Sequence, residues 1–248
     1  MGICARRSAI WRHRSTNGRL PIRGQPRRCN VERHLAGFTG ILQVDGYAAY
    51  NRLAKSAGAN DGVRLAACFA HVRRRFYELH VNESSQLATQ TVTTMARLWE
   101  IEAEIRCQDP ETRMKARQEK SAAIVATLFD VWEKELPRLS GKSKLAEAIR
   151  YATSRRSALE RFLSDGRIEI DSNTVERAIR PQTITRKNAL FAGSHGGGRT
   201  WATIATLLQT AKMNDVDPHA WLTQTLERIA RRWPISQIDA LMPWHFNA

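Results

Sequence analysis

Between residues 84 and 165 apolar side chains recur at spacings of three and four: Ala88, Val92, Met95 and Trp99, then Ile124, Leu128 and Val131, then Leu145, Ile149 and Ala152. That period matches the α-helical turn and gives each helix one apolar stripe to bury, so the stretch constrains the chain to a helical module. Its punctuation agrees. Asp109-Pro110 supplies an N-cap and an N1 proline, Pro137 to Gly141 separates the second helix from the third, and Gly166 ends the last. Three helices of useful length are expected.

The flanks have a different texture. Ile41-Leu42-Gln43-Val44 reads as a short buried strand ended by Asp45-Gly46, and Tyr47 to Ala57 reads as a helix. Leu65 to Phe69 is a second candidate strand that leads into a basic helix through His71, Arg73, Arg74, Arg75 and Phe76. After the module, Asp171-Ser172-Asn173 introduces a short helix stopped by Pro181, and Ala189 to Ala192 is a candidate strand. A glycine-rich turn from Gly193 to Gly198 precedes a helix expected to bury Trp201, Ile204, Leu207, Leu208 and Ala211. Asp217-Pro218 caps a further helix to about Arg231, followed by a short element through Ile238 to Leu241 and an exposed Pro243-Trp244. Trp99, Trp132 and Trp201 fall on apolar faces and are expected in the core.

With 248 residues, 42% of them hydrophobic, the chain can bury a core without disulfide staples. Cys4, Cys29, Cys68 and Cys107 lie far apart, which fits reduced thiols in a cytosol-like compartment. No apolar run is long enough to span a bilayer and no signal-peptide stretch opens the sequence, so neither membrane insertion nor export is expected. The formal net charge of +15 favours a polyanionic partner such as DNA. Eight of those charges come from the arginines of residues 1–30, which hold no acid and no periodicity and read as a disordered basic arm. The arm's weak amphipathic pattern argues against an organelle transit peptide.

Asp45 stands where a strand gives way to a helix, a position from which a carboxylate reaches the crevice beside a sheet; Asp-Gly is also an ordinary turn dipeptide. Glu176 follows Asn173 at capping-box spacing, so it too has a plain structural account. Cys68 and His71 are spaced like half a zinc site, but no second pair lies at ligand spacing and zinc is not expected. Arg177, Arg180, Arg186 and Lys187 cluster after Glu176, suited to phosphates and equally to a solvated face. Gly193 to Arg199 lacks the Gly-Lys-Ser/Thr ending of a P-loop, which argues against nucleotide hydrolysis.

Five ordered blocks shift this balance: Leu42 to Tyr50, Cys68 to Phe76, Asp165 to Pro181, Arg186 to Ser194, and Thr210 to Pro218 with Leu241 to Trp244. Together they make residues 34–244 resemble transposases of the insertion sequence 66 family. The resemblance implies an α/β fold: a partial ribonuclease-H-like domain with a helical insertion and a small helical C-terminal tail. Its segments are a basic arm (1–33), a first catalytic part (34–83), the insertion (84–165), a second catalytic part (166–203) and the tail (204–248). It further implies a DDE transposase, in which three carboxylates hold two Mg²⁺ ions for phosphodiester cleavage and strand transfer. Carried over by motif, Asp45 is the second acid and Glu176 the third, while His71, Arg74 and Arg75, with Arg177, Arg180, Arg186 and Lys187, border the cleft as DNA contacts.

The pattern departs from the family at its front. Glu32 is the single acid before Asp45, and no strand pattern surrounds it, so the first metal-binding Asp is expected to be missing and two-metal catalysis lost or severely reduced. Residues 1–33 are expected to be foreign to the family, read from a shifted frame or a junction. Translating the upstream DNA decides this: if neither other frame yields a strand bearing an Asp, the expectation is wrong. The alternative function is a non-catalytic DNA-binding or assembly fragment that modulates an intact transposase or accessory proteins of the element, in the bacterial cytosol or nucleoid.

Overall fold

A computed structural model describes residues 35–46, 50–51, 62–83, 85–189 and 193–246. They form two compact units, one over residues 27–175 and the other from Glu176 onward. The basic arm expected over residues 1–33 lies outside the described residues, as does the helix expected from Tyr47 except for a helical Tyr50 and Asn51.

The first unit combines helices with a small parallel sheet. Strand β1 (Gly40–Val44) pairs with β2 (Val63–Ala67), from Gly40 opposite Val63 to Val44 opposite Ala67. The second strand ends two residues earlier than its apolar run suggested, because Phe69 already opens α1 (Phe69–Glu83). That helix buries Phe69, Val72, Phe76 and Leu79, at the spacing its packing against α2 (Gln86–Glu104) requires. Ser85 caps α2 by accepting the Ala88 N–H at 3.3 Å.

The module expected as three helices contains more pieces. Asp109 and Pro110 start α3 (Pro110–Ala116) as the sequence implied, and α3 passes through a π-helical turn, Arg117–Ser121, into α4 (Ala122–Glu135). A 3₁₀ turn, Leu136–Arg138, makes the expected break. The third expected helix is two, α5 (Lys144–Thr153) and α6 (Arg156–Ser164), divided where Arg155 leaves helical geometry and donates through Nη1 to the Tyr151 carbonyl at 3.0 Å. Gly166 follows α6 for steric reasons: a Cβ there would collide with the Pro110 backbone.

The core brings Phe76 and Trp132 into a stacked pair at 5.1 Å, with Phe129 edge-on to Trp132 at 5.1 Å. The Trp132 indole donates to Thr91 Oγ1 at 3.1 Å, which satisfies its one polar atom. Arg117, with no exposed surface, lies within this apolar interior. Its Nε and Nη2 donate to the two Glu102 oxygens at 2.7 and 2.8 Å, and Nη1 donates to the carbonyls of Phe162 and Asp165.

The second unit holds α7 (Asn173–Asn188), whose first three residues belong to the first unit, then α8 (His195–Met213) and α9 (Pro218–Ala230). Pro181 does not stop α7, which continues through it to Asn188. The helix tolerates the loss of one donor there. Of the strand expected at 189–192, only Ala189 is described, and it is not in a strand. The glycines expected in a turn lie inside α8, since Ser194 caps that helix by accepting the Gly197 N–H at 3.0 Å.

The burial expected on α8 holds at Ala211 but not at Trp201 or Ile204. Ala202, Ala205 and Ala211 are buried, whereas Trp201 is 38% and Ile204 43% exposed. The small residues set the close approach and turn the large ones outward. Asp217 and Pro218 open α9 as expected, and the buried Trp221 indole donates to the Leu241 carbonyl at 2.8 Å, anchoring the tail elements Ile235–Leu241 and Pro243–His245. Trp132 is core, Trp99 half-buried, and Trp244 exposed as expected.

Removing Arg117 strips Glu102 of its two short bonds and leaves that buried carboxylate only the longer contact with Arg113 Nη2, 3.3 Å. Arg117→Ala is therefore expected to destabilise the first unit by about 3–5 kcal/mol, measured by urea unfolding. A loss below about 1 kcal/mol would show that Arg113 compensates the Glu102 charge by itself.

Candidate functional site

Parallel pairing aligns the two strands so that both C-terminal ends open on one edge. Asp45 leaves β1 there, exposed, while Cys68 leaves β2 beside it, buried, and leads directly into α1. The segment before α7 is laid along the same edge. Gln43 Nε2 donates to the Glu169 carbonyl at 2.8 Å, the Phe69 N–H donates to the Ile170 carbonyl at 3.0 Å, and the Ser172 N–H and hydroxyl both donate to Cys68 Sγ at 3.3 Å. Asp171 is occupied structurally: it accepts the Trp99 indole N–H at 2.9 Å and the Asn173 N–H at 3.0 Å.

Two side chains of the helical insertion reach the turn after β1. Tyr151 donates its hydroxyl to the Asp45 carbonyl at 2.7 Å, and Arg155 Nη2 donates to the Gly46 carbonyl at 3.2 Å. Gly46 has φ of +92°, and a Cβ on it would come within 2.7 Å of Tyr151 Oη and 2.9 Å of Arg155 Nε. Burial pushes the Tyr151 phenol upward, and the Arg155 and Arg75 charges that oppose this do not cancel it, so the phenol is held as a donor.

His71 occupies the first turn of α1, half-buried, and so stands at the same edge as Asp45. On that helix Arg74 pairs loosely with Glu78 at 3.8 Å, and Arg75 pairs with Glu147 at 3.2 Å while lying over the Tyr151 ring at 4.1 Å. Exposed pairs of this kind are worth about 0–1 kcal/mol, so phosphate oxygens can compete for either guanidinium. Arg73 packs over Tyr77 and Trp99 at 5.6 and 5.9 Å.

The other predicted residues lie in the second unit. Glu176 is exposed in the first turn of α7, where an acid also favours the helix dipole. Arg177, Arg180 and Lys187 are exposed on the same helix; residues 180 and 187 follow 176 at i+4 and i+11, which places the three on one stripe. The Arg186 side chain lies outside the described residues. The structure thus gathers Asp45, His71, Arg74 and Arg75 in one unit and Glu176, Arg177, Arg180 and Lys187 in the other.

Asp45 and Glu176 offer hard carboxylate oxygens on exposed positions, the donor type Mg²⁺ takes. The soft ligand at this edge, Cys68 Sγ, is buried and already accepts two hydrogen bonds from Ser172. The donors at the strand ends of the first unit are thus one carboxylate, Asp45, one thiol, Cys68, and one imidazole, His71. Sequence reasoning missed Tyr151 and Arg155, whose one signal was the glycine after Asp45.

The family model described as "Transposase IS66 family" matches residues 24–200, and the "IS66 C-terminal element" matches residues 206–244. The chain is 67% identical over 220 residues to the uncharacterized protein y4qI of Sinorhizobium fredii, covering 88% of this chain and 41% of that protein. It is 42% identical over 225 residues to y4jD of the same organism, covering 88% of this chain and 43% of that protein. The chain thus spans less than half the length of these relatives. No solved structure matches it. Among the described residues no helix is long and apolar enough to cross a membrane.

Substitution at Gly46 tests the close approach. Gly37 also has positive φ, +76°, but nothing lies within 4 Å of where its Cβ would be. Gly37→Ala is expected to cost only the backbone strain, about 1–2 kcal/mol. Gly46→Ala adds displacement of Tyr151 and Arg155 and is expected to lower the melting temperature further; equal shifts would remove the contact from the account.

Proposed function

This chain belongs to the IS66 transposase family, and from that premise we propose that it supplies two of the three acids of a DDE site on a ribonuclease-H-like sheet and binds the DNA ends of an insertion sequence. The carrying observation is the position of Asp45: exposed at the C-terminal end of a parallel strand, beside the helix that bears His71, within the region the family model matches.

In this reading Asp45 and Glu176 would each offer a carboxylate to Mg²⁺, which when bound would supply activation of the attacking oxygen and charge neutralisation on the phosphodiester. The chain's own residues do the rest. His71 touches a scissile-strand phosphate from the first turn of α1. Arg74, Arg75, Arg177, Arg180, Arg186 and Lys187 grip backbone phosphates, which fixes register and carries no base specificity. The compartment is the bacterial cytosol or nucleoid.

One observation favours a second reading. Residues 1–44 contain a single acid, Glu32, and a DDE site needs a further carboxylate besides Asp45 and Glu176. In this second reading residues 1–248 bind DNA without cleaving it and modulate an intact transposase or accessory proteins of the element.

The two readings separate on DNA carrying the element's ends. Binding is expected to fall steeply with salt, and an Arg177→Ala, Arg180→Ala double variant is expected to reduce the slope of log K against log salt by about 2. A slope unchanged by that pair would remove α7 from the DNA interface. Mg²⁺-dependent nicking that Asp45→Asn or Glu176→Gln abolishes would show a complete acid set and exclude the non-catalytic reading. Nicking that survives both substitutions would exclude the assigned roles.

A further inference from the structure

We propose that Tyr151 and Arg155 are positioning residues for Asp45, holding the Asp45-Gly46 turn by its two carbonyls and so fixing the direction in which the Asp45 carboxylate leaves the strand end. This rests on the reading of Asp45 as a metal-binding acid.

Beyond Val44 the paired register of the sheet ends, so the Asp45 and Gly46 carbonyls need partners from elsewhere. Five helix starts among the described residues are served locally: Ser85, Asp109, Ser143, Ser194 and Asp217 each accept from an N–H two or three residues on. The Asp45-Gly46 turn is served from 106 and 109 residues away, by Tyr151 Oη at 2.7 Å and Arg155 Nη2 at 3.2 Å.

These donors are themselves fixed. The Tyr151 ring carries the Arg75 and Arg155 guanidiniums at 4.1 and 4.0 Å, and Arg155 Nη1 donates back to the Tyr151 carbonyl at 3.0 Å. Side chains from α5 and the start of α6 therefore converge on one turn, with Arg75 of α1 stacked behind Tyr151. Gly46 completes the fit, because the space a Cβ would take is filled by Tyr151 Oη and Arg155 Nε. A metal ligand must be held closely in direction; here strand pairing holds the backbone before Asp45, and Tyr151 and Arg155 hold the two carbonyls after its side chain.

The test is Mn²⁺ binding by the full chain, followed by electron paramagnetic resonance of the free ion, with melting temperature as the control for folding. Asp45→Asn is expected to remove a Mn²⁺ site. Tyr151→Phe keeps the ring and its cation contacts and removes only the donor; it is expected to weaken that site about threefold to tenfold, in line with one lost hydrogen bond. Its melting temperature is expected to fall by about 4 °C or less. If Asp45→Asn removes the site and Tyr151→Phe leaves it unchanged, the positioning role is overturned while the reading of Asp45 stands. If Asp45→Asn changes nothing, that reading fails and this inference falls with it. Should Tyr151→Phe not fold, Arg155→Lys, which keeps the charge and one donor, is read the same way: unchanged Mn²⁺ affinity overturns the proposal.

Discussion

A guanidinium with no exposed surface is costly in an apolar interior unless acceptors are brought to it, and Arg117 donates four hydrogen bonds, two to Glu102 and two to backbone carbonyls. The consequences spread outward. Glu102 also receives Arg113 Nη2 at 3.3 Å, and Arg113 donates through Nη1 and Nη2 to the two Glu169 oxygens at 3.0 Å each. Burial works against the charge on Arg113, but Glu169 and Glu102 more than offset it and raise its pKa. The Glu169 carbonyl in turn accepts from Gln43 on β1, two residues before Asp45. A continuous polar path thus runs from the middle of the helical insertion to the strand that carries the acid.

The helices of residues 84–165 are therefore tied to the strand that ends before Asp45. Their π-helical turn places Arg117 inward, their break at Arg155 frees a guanidinium for the Gly46 carbonyl, and Arg161 Nε donates to the Leu65 carbonyl of β2 at 2.9 Å. A sheet of two strands buries little by itself, and isolated two-stranded sheets are marginal in water. Helices packed on it supply the missing stability and fix the direction of its strand ends.

The second unit works with different material. Its buried positions among the described residues are mostly alanines on α8, with Trp221 and Leu241 holding the tail, while Ile179, Ile184, Trp201 and Ile204 stay exposed. Glu176 and the basic residues of α7 sit on a helix that keeps its polar face to solvent, which suits phosphate contact better than a packed core would.

Local chemistry was legible in the sequence wherever one turn or one period decided the outcome. The strand at Ile41 to Val44, the caps at Asp109-Pro110 and Asp217-Pro218, the break after Pro137 and the core place of Trp132 all follow from short-range rules of hydrogen bonding and periodicity. Family motifs named Asp45 and Glu176. The same rules failed at Pro181, where a helix long enough to lose one donor simply continued, and at Trp201 and Ile204, where small alanines won the close contact. What only the tertiary structure decided is which distant groups meet: Tyr151 and Arg155 on the Asp45-Gly46 turn, Ser172 on Cys68, Arg117 on Glu102. Such contacts join residues with no shared period or spacing, because they are selected by the need of buried polar groups for partners after the helices have packed.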